Sequence, residues 1–279
     1  MFKLIETDIY RLIHSLSTRV ILLFAAALAV FCVIMTDTDI TAMKNSPEAV
    51  TAAEEPMIGL SVSANPEWAK GNIDIGEIIC TELKSGTLLI LCSVFTALFA
   101  TADLKSGYIK NVAGLYPGRV QIVFSKLAAV AVNLIFMLAV FTAFTVITGY
   151  IIWSGDVYLG SFSNTAVYLG LQYLLHLGFC GLILLLSMLT KSRSFGMTAG
   201  ILLCCGVTVP LYSGINKLAE KYFHAADFDI YRYMIDANAR TLPYNPDSDT
   251  VLRAAAVGFA FLAVSAVIAA VHFKKHDIR

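Results

Sequence analysis

Six runs without a single Asp, Glu, Lys or Arg, at residues 20–36, 85–102, 127–155, 157–190, 194–216 and 254–273, constrain this chain more than any other feature. The hydrocarbon core of a bilayer is about 30 Å thick, and a helix needs about 20 residues to cross it. Each run is close to that length or beyond it. None alternates strictly between apolar and polar residues, so the runs read as helices, which satisfy their own backbone in lipid, rather than as barrel strands. Hydrophobic residues reach 58% of the chain and charged ones only 14%, which excludes an ordinary soluble domain. The expected fold is an all-α membrane protein with six transmembrane helices.

Charge sets the expected orientation. If the N-terminus is cytoplasmic, the inner flanks hold 12 of the 20 basic residues and only 4 of the 20 acidic ones. Both termini are therefore expected inside a plasma membrane. The first run is an apolar core behind basic residues, but Glu6 and Asp8 precede it and no A-x-A site follows Met35, so an uncleaved anchor is expected rather than a signal peptide. The six cysteines all lie in or beside apolar runs with no C-x-x-C spacing, and are expected to pack as small hydrophobes.

The segments divide as follows. Residues 1–17 carry Phe2, Ile5, Ile9, Leu12, Ile13 and Leu16 on one helical stripe, which predicts a helix lying on the membrane surface. Spans are expected at 19–36, 82–102, 120–152, 164–190, 194–213 and 252–273. The segment 37–78 reads as a long acidic outer loop with Trp68 at the interface, and Glu82 and Lys84 as snorkelling to headgroup depth. Pro210 is expected to kink or end the fifth span. Residues 214–248 predict two short outer amphipathic helices, the second capped by Asp227. Residues 274–279 form a cytoplasmic tail.

Catalytic signatures are scarce. There is no G-x-x-x-x-G-K-S/T to cradle ATP phosphates and no H-E-x-x-H. Glu54 and Glu55 fall in the outer loop, away from any intramembrane partner. Asn133, Gln172 and His176 are polar groups at depth; the i, i+4 spacing of Gln172 and His176 predicts an interhelical hydrogen bond before a substrate stripe. Gly178 with Gly181, and Gly196 with Gly200, predict close helix contact. No enzyme activity, metal or nucleic-acid partner is expected of this chain.

The inner segment 103–118 is the most informative. Leu104, Tyr108, Ile109 and Val112 share one helix face, Lys105, Ser106, Lys110 and Asn111 lie largely on another, and Pro117-Gly118 turns the chain onward. Such a helix fits either the lipid surface or a soluble partner. Asp103, the run "KSGYIKN" from Lys105 to Asn111, then Arg119 and Lys126 resemble the signature region of ABC-2 type transporter permeases, and the expected layout is similar to theirs along essentially the whole chain.

The resemblance implies that Asp103, Leu104, Lys105, Gly107, Tyr108, Ile109, Lys110, Asn111 and Arg119 form a coupling helix that docks on a separate ATP-binding subunit. That partner would hold ATP and Mg, and a second permease copy would complete the unit. Phe24, Phe31, Phe95 and Phe99 would lie along the translocation path. The long outer loop resembles Gram-positive exporters of amphipathic peptides, such as phenol-soluble modulins, and bacteriocin immunity permeases. An amphipathic peptide cargo is thus expected; the alternatives are a lipid-like or drug cargo, or an anchor that recruits a soluble partner without transport.

Overall fold

A computed structural model describes residues 2–45, 64–105, 120–223 and 228–275. The protein is built from α-helices. Helix α1 (Phe2–His14) leads into α2 (Leu16–Asn45); after a 3-10 turn at Pro66–Lys70 come α3 (Ile75–Lys84), α4 (Thr87–Lys105), α5 (Val120–Ile152) and α6 (Phe162–Thr190). Then follow α7 (Arg193–Cys204), α8 (Val209–Phe223), a 3-10 turn at Ile230–Tyr233, α9 (Ile235–Thr241) and α10 (Ser248–Lys275). Four of these, α2, α5, α6 and α10, are long and apolar enough to cross a membrane. The pairs α3–α4 and α7–α8 are bent by 52° and 64°, and bring the number to six if each pair is one span.

The bends have local causes. Helix α7 ends in a Schellman motif: Gly206 takes φ +70°, its N–H bonds the Leu203 carbonyl at 3.3 Å, and the Val207 N–H bonds Leu202 at 3.3 Å. Pro210 was the expected breaker, yet it sits in the first turn of α8, where its missing N–H costs nothing. The α3–α4 break falls at Ser85 and Gly86, with Gly86 at φ +82°. Ser85 seals it, donating its hydroxyl to the Glu82 carbonyl at 2.6 Å and accepting from the Thr87 N–H at 3.3 Å.

Much of the described part of the segment expected to be a loop at 37–78 is helical. Helix α2 continues to Asn45, residues 46–63 lie outside the described residues, and α3 begins at Ile75, capped by Asp74, whose carboxylate accepts from the Gly76 N–H at 2.8 Å. Trp68 does not sit at an interface: it is 2% exposed, packed in a small cluster with Val33, Ile40, Ile73, Ile78 and Trp153. Its indole N–H donates to Glu77 at 3.1 Å. Glu82 does not snorkel either. It is fully buried and accepts a hydrogen bond from Thr36 at 2.7 Å, because α3 lies inside the helix bundle and gives the side chain no route to water.

Residues 73–74 and 157–158 form a two-residue parallel ladder, Ile73 with Val157 and Asp74 with Tyr158, which ties the start of α3 to the α5–α6 connection. Trp153, at the end of α5, donates to Asp37 of α2 at 2.6 Å. These contacts gather one end of the bundle. Asp247 precedes α10 there, its carboxyl held below the usual range chiefly by the Thr250 hydroxyl.

Glycines set the closest helix contacts. A Cβ on Gly178 would stand 2.7 Å from the Gly258 carbonyl, so α6 and α10 meet backbone to backbone, running parallel. Gly196 faces Ser187 of α6 and Ala97 of α4, and Gly200 faces Ser93 of α4, so α7 wedges between those two helices. The main core threads through all of them, with Leu88, Phe141, Leu175, Phe179 and Ile183 fully buried at its centre. The cysteines are free, five buried and Cys205 half-buried.

Candidate functional site

At the end of the bundle opposite the ladder, α1, the last turn of α4 and the second turn of α5 meet in a ring of charged side chains. Asp103 accepts from Arg11 Nη2 at 2.8 Å through Oδ1 and from Lys126 Nζ at 2.5 Å through Oδ2. Next to Lys126 on α5, the Ser125 hydroxyl donates to Asp8 Oδ2 at 2.5 Å. Asp8 Oδ1 lies 3.8 Å from Arg11, which closes the circuit. Asp8, Asp103 and Lys126 are all buried, and the Lys126 side chain is 1% exposed.

Lys126 reaches its position because α5 carries it one helical turn and a half past the start at Val120. Its ammonium lies 4.7 Å from the centre of the Phe99 ring, a cation–π contact strengthened by the scarcity of competing water. Phe99 in turn stacks on Phe95 at 5.7 Å. Buried charges persist only when paired and hydrogen-bonded, and here each has at least one partner of opposite sign.

Helix α1 is oriented differently from its apolar stripe. Leu4, Asp8 and Leu12, at i, i+4 and i+8, are its buried line, with Ile5 and Ile9 half-buried beside them. Ile13 and Leu16 are exposed at 48% and 75%; the side chain of Phe2 lies outside the described residues. The helix packs against α5, so a protein surface claims part of the face that the pattern assigns to lipid. Asp8, Arg11 and Ser125 were missed as site residues. The signal was present: Asp8 falls midway between Leu4 and Leu12 on one helical line, with Arg11 at i+3, which is not the placement of a solvated carboxylate.

The sequence-predicted residues fare unevenly. Asp103 stands at the centre of the ring. Leu104 and Lys105 belong to the last turn of α4, their side chains outside the described residues, as are Gly107, Tyr108, Ile109, Lys110, Asn111 and Arg119. The four phenylalanines do not share one environment: Phe24 and Phe31 are each 54% exposed on the outer face of α2, whereas Phe95 is buried under the ring and Phe99 half-buried against Lys126. Phe31 follows Phe24 by seven residues, two helical turns, so the two mark one surface stripe of α2.

The matching family model covers residues 70–279 and is described as a protein of unknown function, DUF2705. The chain belongs to the DUF2705 family. No curated protein matches it. The DUF2705 match contains Asp103, Ser125 and Lys126, while Asp8 and Arg11 come from the helix that precedes it. The ring therefore joins the family's matched region to the N-terminal helix.

Other buried polar groups lie toward the ladder end. Gln172 donates to the Tyr168 hydroxyl at 2.8 Å and to the Ala239 carbonyl at 2.9 Å, which ties α6 to α9, and His176 Nδ1 pairs with the Gln172 carbonyl at 2.8 Å. The residues expected to form short helices after the fifth apolar run fall on α8, the 3-10 turn and α9. Asp229 caps that turn through the Tyr231 N–H at 3.1 Å, and Asp227 is outside the described residues. Asp236 of α9 accepts from Thr208 at 2.9 Å and from Tyr212 at 2.9 and 3.1 Å, which clamps α9 onto the start of α8. Asp236→Ala leaves both hydroxyls without this acceptor. The expected outcome is a loss of about 1–3 kcal/mol, read as a lower melting temperature in detergent, with Asp236→Asn recovering part of it.

Among the described residues no group of three His, Cys, Asp or Glu side chains is placed to hold a metal ion. The ring's physical capacity is mechanical: its short, charge-assisted bonds fasten one amphipathic helix to the two helix ends that bracket residues 106–119.

Proposed function

We propose that this chain is the membrane-spanning subunit of an ATP-driven exporter of the ABC-2 type, energised by a separate ATP-binding subunit and working as a pair of permease copies. The observation that carries the reading is the ring of Asp8, Arg11, Asp103 and Lys126. Two of its members, Asp103 and Lys126, flank the "KSGYIKN" segment in sequence, and the ring fastens both roots of that segment to α1. A segment held that way passes a push from a soluble partner into α4 and α5 together, instead of dissipating it in a loose loop.

Six crossings, two of them bent, and both termini in the cytoplasm of a bacterial cell follow from the same reading. Helices α6 and α10 running parallel support it, since the bent pair α7–α8 must then cross once between them. ATP and Mg belong to the partner, and this chain contributes no catalytic residue. The cargo is an amphipathic or toxic peptide, in keeping with the apolar surface of α2 and the few charges at depth.

The test is co-purification. The chain expressed with its native neighbours and solubilised in mild detergent is expected to bring down a P-loop ATPase. Tyr108→Asp combined with Ile109→Asp is expected to release it while the permease stays monodisperse, because two buried apolar contacts of about 1.5–3 kcal/mol each are lost. Capture of no ATPase, or undiminished capture by the double variant, overturns the assignment.

A further inference from the structure

We propose that the cleft between α1 and the N-terminus of α7 binds the phosphodiester headgroup of an anionic phospholipid. The cleft encloses about 420 Å³ and is lined by Tyr10, Arg11 and His14 of α1, Phe99 and Asp103 of α4, and Arg193 of α7, among others. That volume lies within the range of about 300–1,000 Å³ typical of small-molecule sites. The inference stands apart from the proposed transport function and does not require it.

Charge defines the occupant. Among the described residues around the cleft there are three cations, Arg11, Lys126 and Arg193, against two carboxylates, Asp8 and Asp103, and both carboxylates are already engaged within the ring. The surplus is positive. Arg193 is the first residue of α7, where the positive end of the helix dipole adds to its own charge and opposes its presence. Its Nε is buried with no hydrogen-bond partner among the described residues. A buried guanidinium nitrogen left unpaired is costly, and the planar fork of arginine matches phosphate oxygens. His14 is preset beside it: Nδ1 pairs with the Tyr10 carbonyl at 2.9 Å and the ring stacks on Tyr10 at 4.1 Å, which leaves Nε2 for a ligand.

The surroundings select a lipid over a soluble phosphate. Leu16 lies between the lining residues Ser15 and Ser17 and is 75% exposed; Leu23, two turns further along α2, is 70% exposed, and Phe195, two residues beyond Arg193, is 49% exposed. These apolar surfaces start at the cleft and run along helices of membrane-crossing length, the placement acyl chains need once a headgroup is seated. The cleft also lies at one end of those helices, at the depth where anionic headgroups meet basic side chains.

The experiment is native mass spectrometry and thermal unfolding of the full chain in a neutral detergent, with phosphatidylglycerol, phosphatidylcholine or inorganic phosphate added. Phosphatidylglycerol is expected to be retained and to raise the melting temperature, with the other two ineffective. Arg193→Gln is expected to weaken phosphatidylglycerol binding about tenfold, the loss of one charge-assisted hydrogen bond, and Arg193→Lys to restore part of it. His14→Glu, on an exposed position of α1, places a carboxylate in the cleft and is expected to weaken binding whether or not Arg193→Gln folds. Equal binding of the two lipids, a stabilising effect of inorganic phosphate alone, or unchanged binding by His14→Glu overturns the proposal.

Discussion

Lys126→Ala is expected to cost the protein about 3–5 kcal/mol, the penalty for removing one partner of a buried ion pair and leaving the other. Asp103 keeps Arg11 on Oδ1, but Oδ2 loses the Lys126 ammonium, and the Phe99 ring loses the cation over it. The measurement is thermal unfolding in detergent, alongside limited proteolysis after Arg11, which reports release of α1. The double variant Asp103→Asn with Lys126→Met is expected to recover most of the loss, because a well-packed neutral pair has no charge to strand. A four-variant cycle then separates the coupling from each single cost. If Lys126→Ala melts like the wild type and α1 stays protected, the ring is not what holds the helix.

Gly200→Leu is expected to cost at least about 3 kcal/mol, at the upper end for overpacking. A Cβ there would stand 2.5 Å from Ser93 Cβ and 3.4 Å from Ile183 Cδ1. Serine Cβ is fixed by its backbone and cannot swing aside, so α7 as a whole must leave the groove between α4 and α6. Gly170→Leu is the control: nothing lies within 4 Å of its Cβ position, and the expected change is within about 0.5 kcal/mol. Size-exclusion profiles and melting temperatures compare the two; equal behaviour would mean that α7 is not seated as described.

Where the sequence was sufficient, one strong physical term acted alone. The apolar runs near 120–152, 164–190 and 252–273 are helical because lipid-length apolar chain has no other way to satisfy its backbone, and α5, α6 and α10 occupy them. The G-x-x-x-G pair at Gly196 and Gly200 is legible for a similar reason, since absence of a side chain is itself the signal. Breaks were not legible. Composition cannot distinguish a straight helix from one interrupted at Gly86 or Gly206, because a left-handed glycine followed by a restart leaves hydropathy unchanged. Proline drew attention at 210 while the true stop lay four residues earlier.

The site shows the same division. Asp103 and Lys126 were visible through motif, but that they bond each other depends on how α4 packs on α5, and that Arg11 and Asp8 complete the circuit depends on how α1 is rotated. A stripe of Ile and Leu tells which residues avoid water without telling whether lipid or protein takes their place. Leu4 and Leu12 met protein; Leu16 did not. Glu82 and Trp68 were misplaced for a related reason: each looked interfacial beside a presumed loop, and the ordered α3 enclosed both.

The parallel contact of α6 with α10 bears on how the chain is made. Helix α6 leaves the ribosome well before α10, and everything from Arg193 to Asp247 must be synthesised before Gly258 can reach Gly178. Until then the face of α6 that meets α10, with Leu174, Gly178 and Gly181 on it, stays uncovered. Helix α7 precedes α10 in the chain, so its contacts with α4 and α6 through Gly196 and Gly200 need no part of the last helix. The last helix to emerge therefore closes the bundle, and a chain stopped short of it would be left inserted with its longest seam open.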